Sequence, residues 1–220
     1  MPVFVPRPVA KGLSRGGQCT LAQDQIRNDA VQHTIQQEIK GVIAFVAVIW
    51  AAFLVDSVVP YNFTEFGVTP RTLVGLVGIP AMPFLHADWR HITSNTLPLV
   101  VLLVLLAGSR ARSWLVVVAI VLLGGALLWL LGRPAIHVGA SGLVFGLIVF
   151  LIVSGLLERR LVPLAVSLVV GFLYGGSLLW GIVPRLGSHV SWDGHLCGAI
   201  AGGAMAYLLT RKQKPQESTP

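Results

Sequence analysis

The chain has 220 residues, of which 55% are hydrophobic and 11% charged, with a formal net charge of +7. An ordinary soluble domain carries about 25% charged residues, so a soluble globule is excluded, and so is disorder, which needs low hydrophobicity. Two cysteines, Cys19 and Cys197, exclude a disulfide scaffold and a four-cysteine zinc site. What remains is a multi-spanning helical membrane protein.

Residues 1–40 are polar, broken by Pro2, Pro6 and Pro8, and read as a cytoplasmic tail. No apolar stretch before a small-residue cleavage site marks a secretory signal. Residues 20–40 have a weak amphipathic spacing (Leu21, Ile26, Val31, Ile35, Ile39) that suits a helix leading into the membrane. Apolar runs follow at about 41–59, 91–107, 114–132, 139–157, 161–183 and 194–210. In lipid every backbone group must pair internally, so such runs are helices. They lack the alternation of barrel strands. The expectation is an all-α membrane protein with a six-span core over residues 41–210 and a basic tail at 211–220.

Basic residues set orientation. On one side lie Arg7, Lys11, Arg15, Arg27, Lys40, Arg110, Arg112, Arg159, Arg160, Arg211, Lys212 and Lys214. The other side has Arg71, Arg90, Arg133 and Arg185. This bias places both termini in the cytoplasm. The positive charge is thus mostly a topology signal, and no basic stripe with interleaved aromatics points to nucleic acid.

Polar side chains inside spans are costly and by default functional. Three sets stand out: His91-Ile92-Thr93-Ser94-Asn95, Gly139-Ala140-Ser141-Gly142 and Asp193-Gly194-His195. They open runs two, four and six, which run in the same direction, so they share one depth beneath the outer surface. His91 and Asn95, four apart, lie on one helix face. Ser141 sits at a helix N-terminus, where unpaired N–H groups favour negative charge. A histidine at matching depth can take a serine's proton. Nucleophile, base and oxyanion donors are all represented.

Gly194, Gly198 and Gly202 in run six, and Gly142 and Gly146 in run four, recur at steps of four. Such stripes let helices pack closely and would bring Ser141 near His195 if they face each other. They are also common in membrane helices that carry no catalysis.

The GASG motif at 139–142, the HITSN segment at 91–95, and His195 followed by its glycine stripe together resemble the rhomboid intramembrane serine proteases. The stretch FLHADWRHITSN (84–95) adds a second histidine, His86, and the likeness spans about residues 40–210. The resemblance implies a six-helix rhomboid-like bundle with a Ser141–His195 dyad, Ser141 as nucleophile and His195 as base and then acid. It implies an oxyanion hole of His91, Asn95 and the Ser141 backbone N–H. Phe145 stands where relatives often place a tyrosine against the catalytic histidine. Gly139, Gly142 and His86 support the site. Relatives with a Trp-Arg pair in the first loop match Val77 and Gly78 here; Trp89-Arg90 is offset from it.

Among the remaining candidates, Asp193 reads as a helix N-cap in preference to a third catalytic member. His137 and His189 read as loop residues, His33 as a solvated tail residue and Cys197 as a small packing residue. Asp56 reads as water-exposed or capped by a neighbour, and Trp50, Trp114, Trp180 and Trp192 as interfacial or packing residues. No HExxH pattern or carboxylate pair marks a metalloprotease or aspartyl protease, and no cofactor or metal is expected. The expected activity is cleavage of transmembrane segments of other membrane proteins near the outer leaflet, in a bacterial plasma membrane. Residues 161–183 and the following loop would form the gate and cap. A catalytically silent rhomboid-like binder of transmembrane helices is the alternative. A transporter ranks last, because no inverted repeat is evident.

Overall fold

The computed structural model describes residues 15–109, 113–184 and 190–211, with side chains from residue 35 onward. The readings made on Arg7, Lys11, Arg110, Arg112, Arg185, His189, Lys212 and Lys214 lie outside that description, as do those on the side chains of Arg15, Cys19, Arg27 and His33. Contacts divide the chain into a unit ending at Gln37 and a unit beginning at Glu38. In the first, residues from Arg15 onward are helical.

Among the described residues the regular structure is helical: α1 (Arg15–Val58), α2 (Gly75–Ala81), α3 (Trp89–Ser109), α4 (Ser113–Leu131), α5 (Ser141–Glu158), α6 (Leu161–Gly181) and α7 (Trp192–Arg211). Five segments are long and apolar enough to cross a membrane: Ile35–Val58, Trp89–Ser109, Ser113–Leu131, Ser141–Glu158 and Leu161–Gly181. They match the first five apolar runs to within a few residues, except that the first begins earlier. The sixth run becomes α7, similar in length but diluted by glycine, Asp193 and His195, and it falls outside that group of five.

The long loop after α1 is not featureless. It holds a 3-10 turn at Phe63–Phe66, then α2, then a 3-10 turn at Met82–Phe84. Val77, on α2, is exposed and Gly78 is buried. The loop closes on the rest of the unit through specific bonds. Asp56 accepts from the Phe63 N–H at 2.6 Å, which settles it as a capped residue. Val68 and His137 exchange both backbone bonds at 2.9 Å. Arg71, with φ +61, donates to the carbonyls of Leu130 and Gly132 at the end of α4. Those carbonyls have no intrahelical partner, so the guanidinium caps α4 from a distant segment.

α5 packs most extensively against α7, then against α6. The α5–α7 seam is made of glycine. A methyl group added at Gly198 or Gly202 would run into the carbonyl of Gly142 or Gly146, and one at Gly146 would sit 2.9 Å from the Gly198 carbonyl. The two glycine stripes do face each other. Around this seam Leu147, Ile148, Phe150, Ile120, Leu102 and Ala201 are fully enclosed. At the far edge Trp50 donates to Thr96 Oγ1 at 3.2 Å, and Trp89, itself largely exposed, packs edge-on against Phe53 at 4.9 Å.

Candidate active site

The N-terminal ends of α3, α5 and α7 meet at one end of the bundle. α3 begins with an aspartate cap: Asp88 Oδ1 accepts from His91 N at 2.8 Å, which fixes His91 in the first turn. One turn later comes Asn95. Both side chains abut Gly139, where an added methyl would meet His91 Nε2 at 2.5 Å and Asn95 Nδ2 at 3.4 Å. Gly139 has φ +109, a conformation L side chains rarely adopt, so it must be glycine for backbone and space alike.

The strained turn at Gly139 leads directly into α5, whose first residue is Ser141, half-buried. This turn is pinned from the first loop. Gly139 N donates to the Met82 carbonyl at 3.0 Å, and Ala140 N to His86 Nε2 at 3.4 Å. His86 is 2% exposed, and its ring meets His91 edge-on at 5.0 Å. Burial first, and then neighbouring His91, push its imidazole down to about 4, with the Phe84 backbone pulling the other way. His86 is therefore neutral at pH 7, as an acceptor of an amide N–H must be.

His195 lies one turn into α7 and is buried. Its ring stacks on Phe145 at 4.1 Å with 7° between the planes, and Nδ1 sits 2.9 Å from the Gly181 carbonyl of α6. A carbonyl only accepts, so Nδ1 carries the proton and Nε2 is left as the basic nitrogen. Gly142 and Gly194, the chain neighbours of Ser141 and His195, oppose each other: a methyl at Gly142 would lie 3.3 Å from the Gly194 carbonyl. Among the described residues no hydrogen bond joins Ser141 to His195; nucleophile–base contacts are often long before substrate arrives. Among the described residues, Asn95 Nδ2 is buried with no hydrogen-bond partner. A buried donor without an acceptor is rare and costly.

Asp193 does not serve His195. It occupies the first turn of α7, while Ser191, whose carbonyl accepts from His195 N at 3.0 Å, takes the capping position. Its carboxylate is paired with Arg133 at 3.2 Å. His137, read as an ordinary loop residue, is 3% exposed and hydrogen-bonded to Ser191 Oγ at 2.7 Å. Neither partnership was visible in the sequence, because the loops involved are 54 and 60 residues apart and carry no periodicity. The one available signal was that both Arg133 and Asp193 are charges placed against apolar runs. Cys197 packs with Val68, Met82 and Leu128, as its small apolar character suggests. Beside the Gly181 carbonyl, an open recess of about 220 Å³ is lined by Ser177, Trp180, Gly181, Val183, Val190 and Trp192. Among the described residues no cluster of His, Cys, Asp or Glu could hold a metal ion.

The Rhomboid domain family model matches residues 75–212. An uncharacterized protein of Mycobacterium tuberculosis is 42% identical over 183 residues, which cover 79% of this chain and 75% of that relative. An uncharacterized protein of Mycobacterium leprae is 39% identical over 183 residues, covering 79% of this chain and 72% of its own.

Proposed function

The chain belongs to the rhomboid family, and on that premise we propose that it is an intramembrane serine endopeptidase. Members of the family are generally serine intramembrane proteases. The substrate is a transmembrane segment of another membrane protein, cut near the outer leaflet of a bacterial plasma membrane. Six spans, with α7 as the sixth, keep both termini in the cytoplasm.

The observation that carries this reading is the meeting of three helix starts around Gly139 and Ser141. Ser141 Oγ attacks the scissile carbonyl, and its proton passes to His195 Nε2. The tetrahedral oxyanion takes hydrogen bonds from the Ser141 backbone N–H, His91 and Asn95. Each such donor contributes about 3–4 kcal/mol when it is aimed at charge that develops only in the transition state. His195 then protonates the leaving amine, and an acyl-Ser141 ester remains. Water, deprotonated by the same imidazole, hydrolyses that ester and restores the serine. Phe145 supports the ring by stacking without donating a hydrogen bond. Asp193 is committed to Arg133, which favours a dyad over a triad.

The test is cleavage of a labelled single-span reporter after reconstitution in lipid. Wild type should cut it, and Ser141→Ala and His195→Ala should each lose about 10⁴-fold or more in kcat, as dissected serine peptidases do. Equal cleavage by all three proteins would sink the proposal.

A further inference from the structure

Two charged side chains that the peptidase chemistry leaves unused meet at the start of α7. Asp193 is 6% exposed, and a buried carboxylate is costly unless it is paired and well hydrogen-bonded. Its Oδ2 accepts from Arg133 N at 3.0 Å and Arg133 Nε at 3.2 Å. Its Oδ1 accepts from Arg133 Nη2 at 3.2 Å, Ser191 Oγ at 3.3 Å and its neighbour Gly194 N at 3.2 Å. The same guanidinium donates to the Val190 carbonyl at 3.3 Å and lies 5.2 Å over the Trp192 ring. One arginine thus grips Val190, Trp192 and Asp193, the approach to His195.

The grip is itself anchored. His137 Nε2 lies 3.2 Å from the Arg133 carbonyl and 3.7 Å from Asp193 Oδ2, Nδ1 meets Ser191, and the His137 backbone pairs with Val68. The first loop, the loop before α5 and the start of α7 are therefore tied at one point. We propose that the Arg133–Asp193 pair is a positioning clamp that sets the rotation and height of the first turn of α7, and so aims the His195 ring between Phe145 and the Gly181 carbonyl.

The glycine seam explains why such a clamp is needed. Glycine against carbonyl fixes how near α7 comes to α5, but it supplies no directional side-chain bond to set the rotation and height of the first turn. Each residue of slip moves a helical side chain 1.5 Å along the axis, and a misplacement near 1 Å costs about 10²-fold in rate. A forked guanidinium against a carboxylate is directional and blocks that slip. The inference rests on the peptidase reading in that it takes His195 as the base.

The experiment compares wild type with Arg133→Ala, Arg133→Lys, Asp193→Asn and the double variant Arg133→Ala/Asp193→Asn in lipid nanodiscs. Reporter cleavage, melting temperature and the ¹⁵N–¹H signal of the His195 ring are read for each. For the clamp, kcat should fall about 100-fold in Arg133→Ala and Asp193→Asn while KM stays within threefold. The double variant should be no worse than either single one, and Arg133→Lys should recover only part of the loss, having no fork. The sharp His195 Nδ1–H signal should broaden in both single variants.

Unchanged kcat, additive losses, or losses that track melting temperature alone would overturn the clamp. So would failure of all the variants to fold, since the pair would then serve the fold and not the ring. A wild type that cuts nothing would defeat the peptidase reading, and the ring signal would still decide the clamp: broadening sustains it and an unchanged signal removes it.

Discussion

His195 is held between two helices that are themselves held in opposite ways. α5 supplies Phe145 beneath the ring and packs closely on α7 through glycine, with 61% of its apolar stretch buried. α6 supplies the Gly181 carbonyl, yet only 11% of its apolar stretch is buried and, among its residues, just Ser167 and Val170 are enclosed. The side carrying Ser141 is packed like a protein interior. The side proposed to admit a substrate turns Phe172, Leu168 and Leu161 outward. On the peptidase reading, catalysis needs sub-ångström placement and access needs slack, and the two fall to different neighbours of one histidine.

This contrast can be broken at the seam first. Gly198→Val drives a side chain into the Gly142 carbonyl. It should destabilise the protein by roughly 3 kcal/mol or more, the upper range for overpacking, read as a lowered melting temperature in detergent. A tolerated valine would mean that the seam is looser than its glycines indicate. Next, Asn95→Ala removes the buried unpaired donor. It should lower kcat about 10²–10³-fold without lowering the melting temperature, because no existing bond is lost.

A third test uses acid. His86 is neutral in the fold and titrates near 4, against an ordinary value near 6.5. The unfolded chain therefore binds more protons than the folded one between those values. The stability held above pH 6.5 is lost as pH falls through this window, by up to roughly 3 kcal/mol. The melting temperature of His86→Gln, which keeps an acceptor for Ala140 N–H, should show a shallower acid dependence than wild type; parallel curves would refute the assignment. The smallest effect belongs to α6. Phe172, 88% exposed, should tolerate alanine within about 0.5 kcal/mol, and a large loss of melting temperature would erase the contrast.

The five long apolar helices and the three polar openings were legible because each is a local property: a run of apolar residues, or a costly side chain at its edge. The glycine stripes were legible as stripes, but their pairing was not, because a step of four is shared by many membrane helices and does not say which stripe meets which. α2 was not. Seven residues containing Pro80 and two glycines make a poor helix by propensity, and they become one because Gly75 and Gly78 nest against the backbone of Thr69, Gly67 and Val68. Asp193 was readable as a residue at a helix start, but not as the partner of an arginine 60 residues earlier. Pairing between loops leaves no period in a sequence.

The bond from His195 to Gly181 has a further consequence. An ordinary hydrogen bond contributes about 1 kcal/mol net, a small fraction of what holds a bundle together. A substrate segment that pushed α6 aside would carry that carbonyl away and free the imidazole to swing. The bond would re-form as α6 settled back around the bound segment. Admission and proton transfer would then alternate on a shared latch, cheap enough to open at every turnover, and the base would be cocked only when the door is shut.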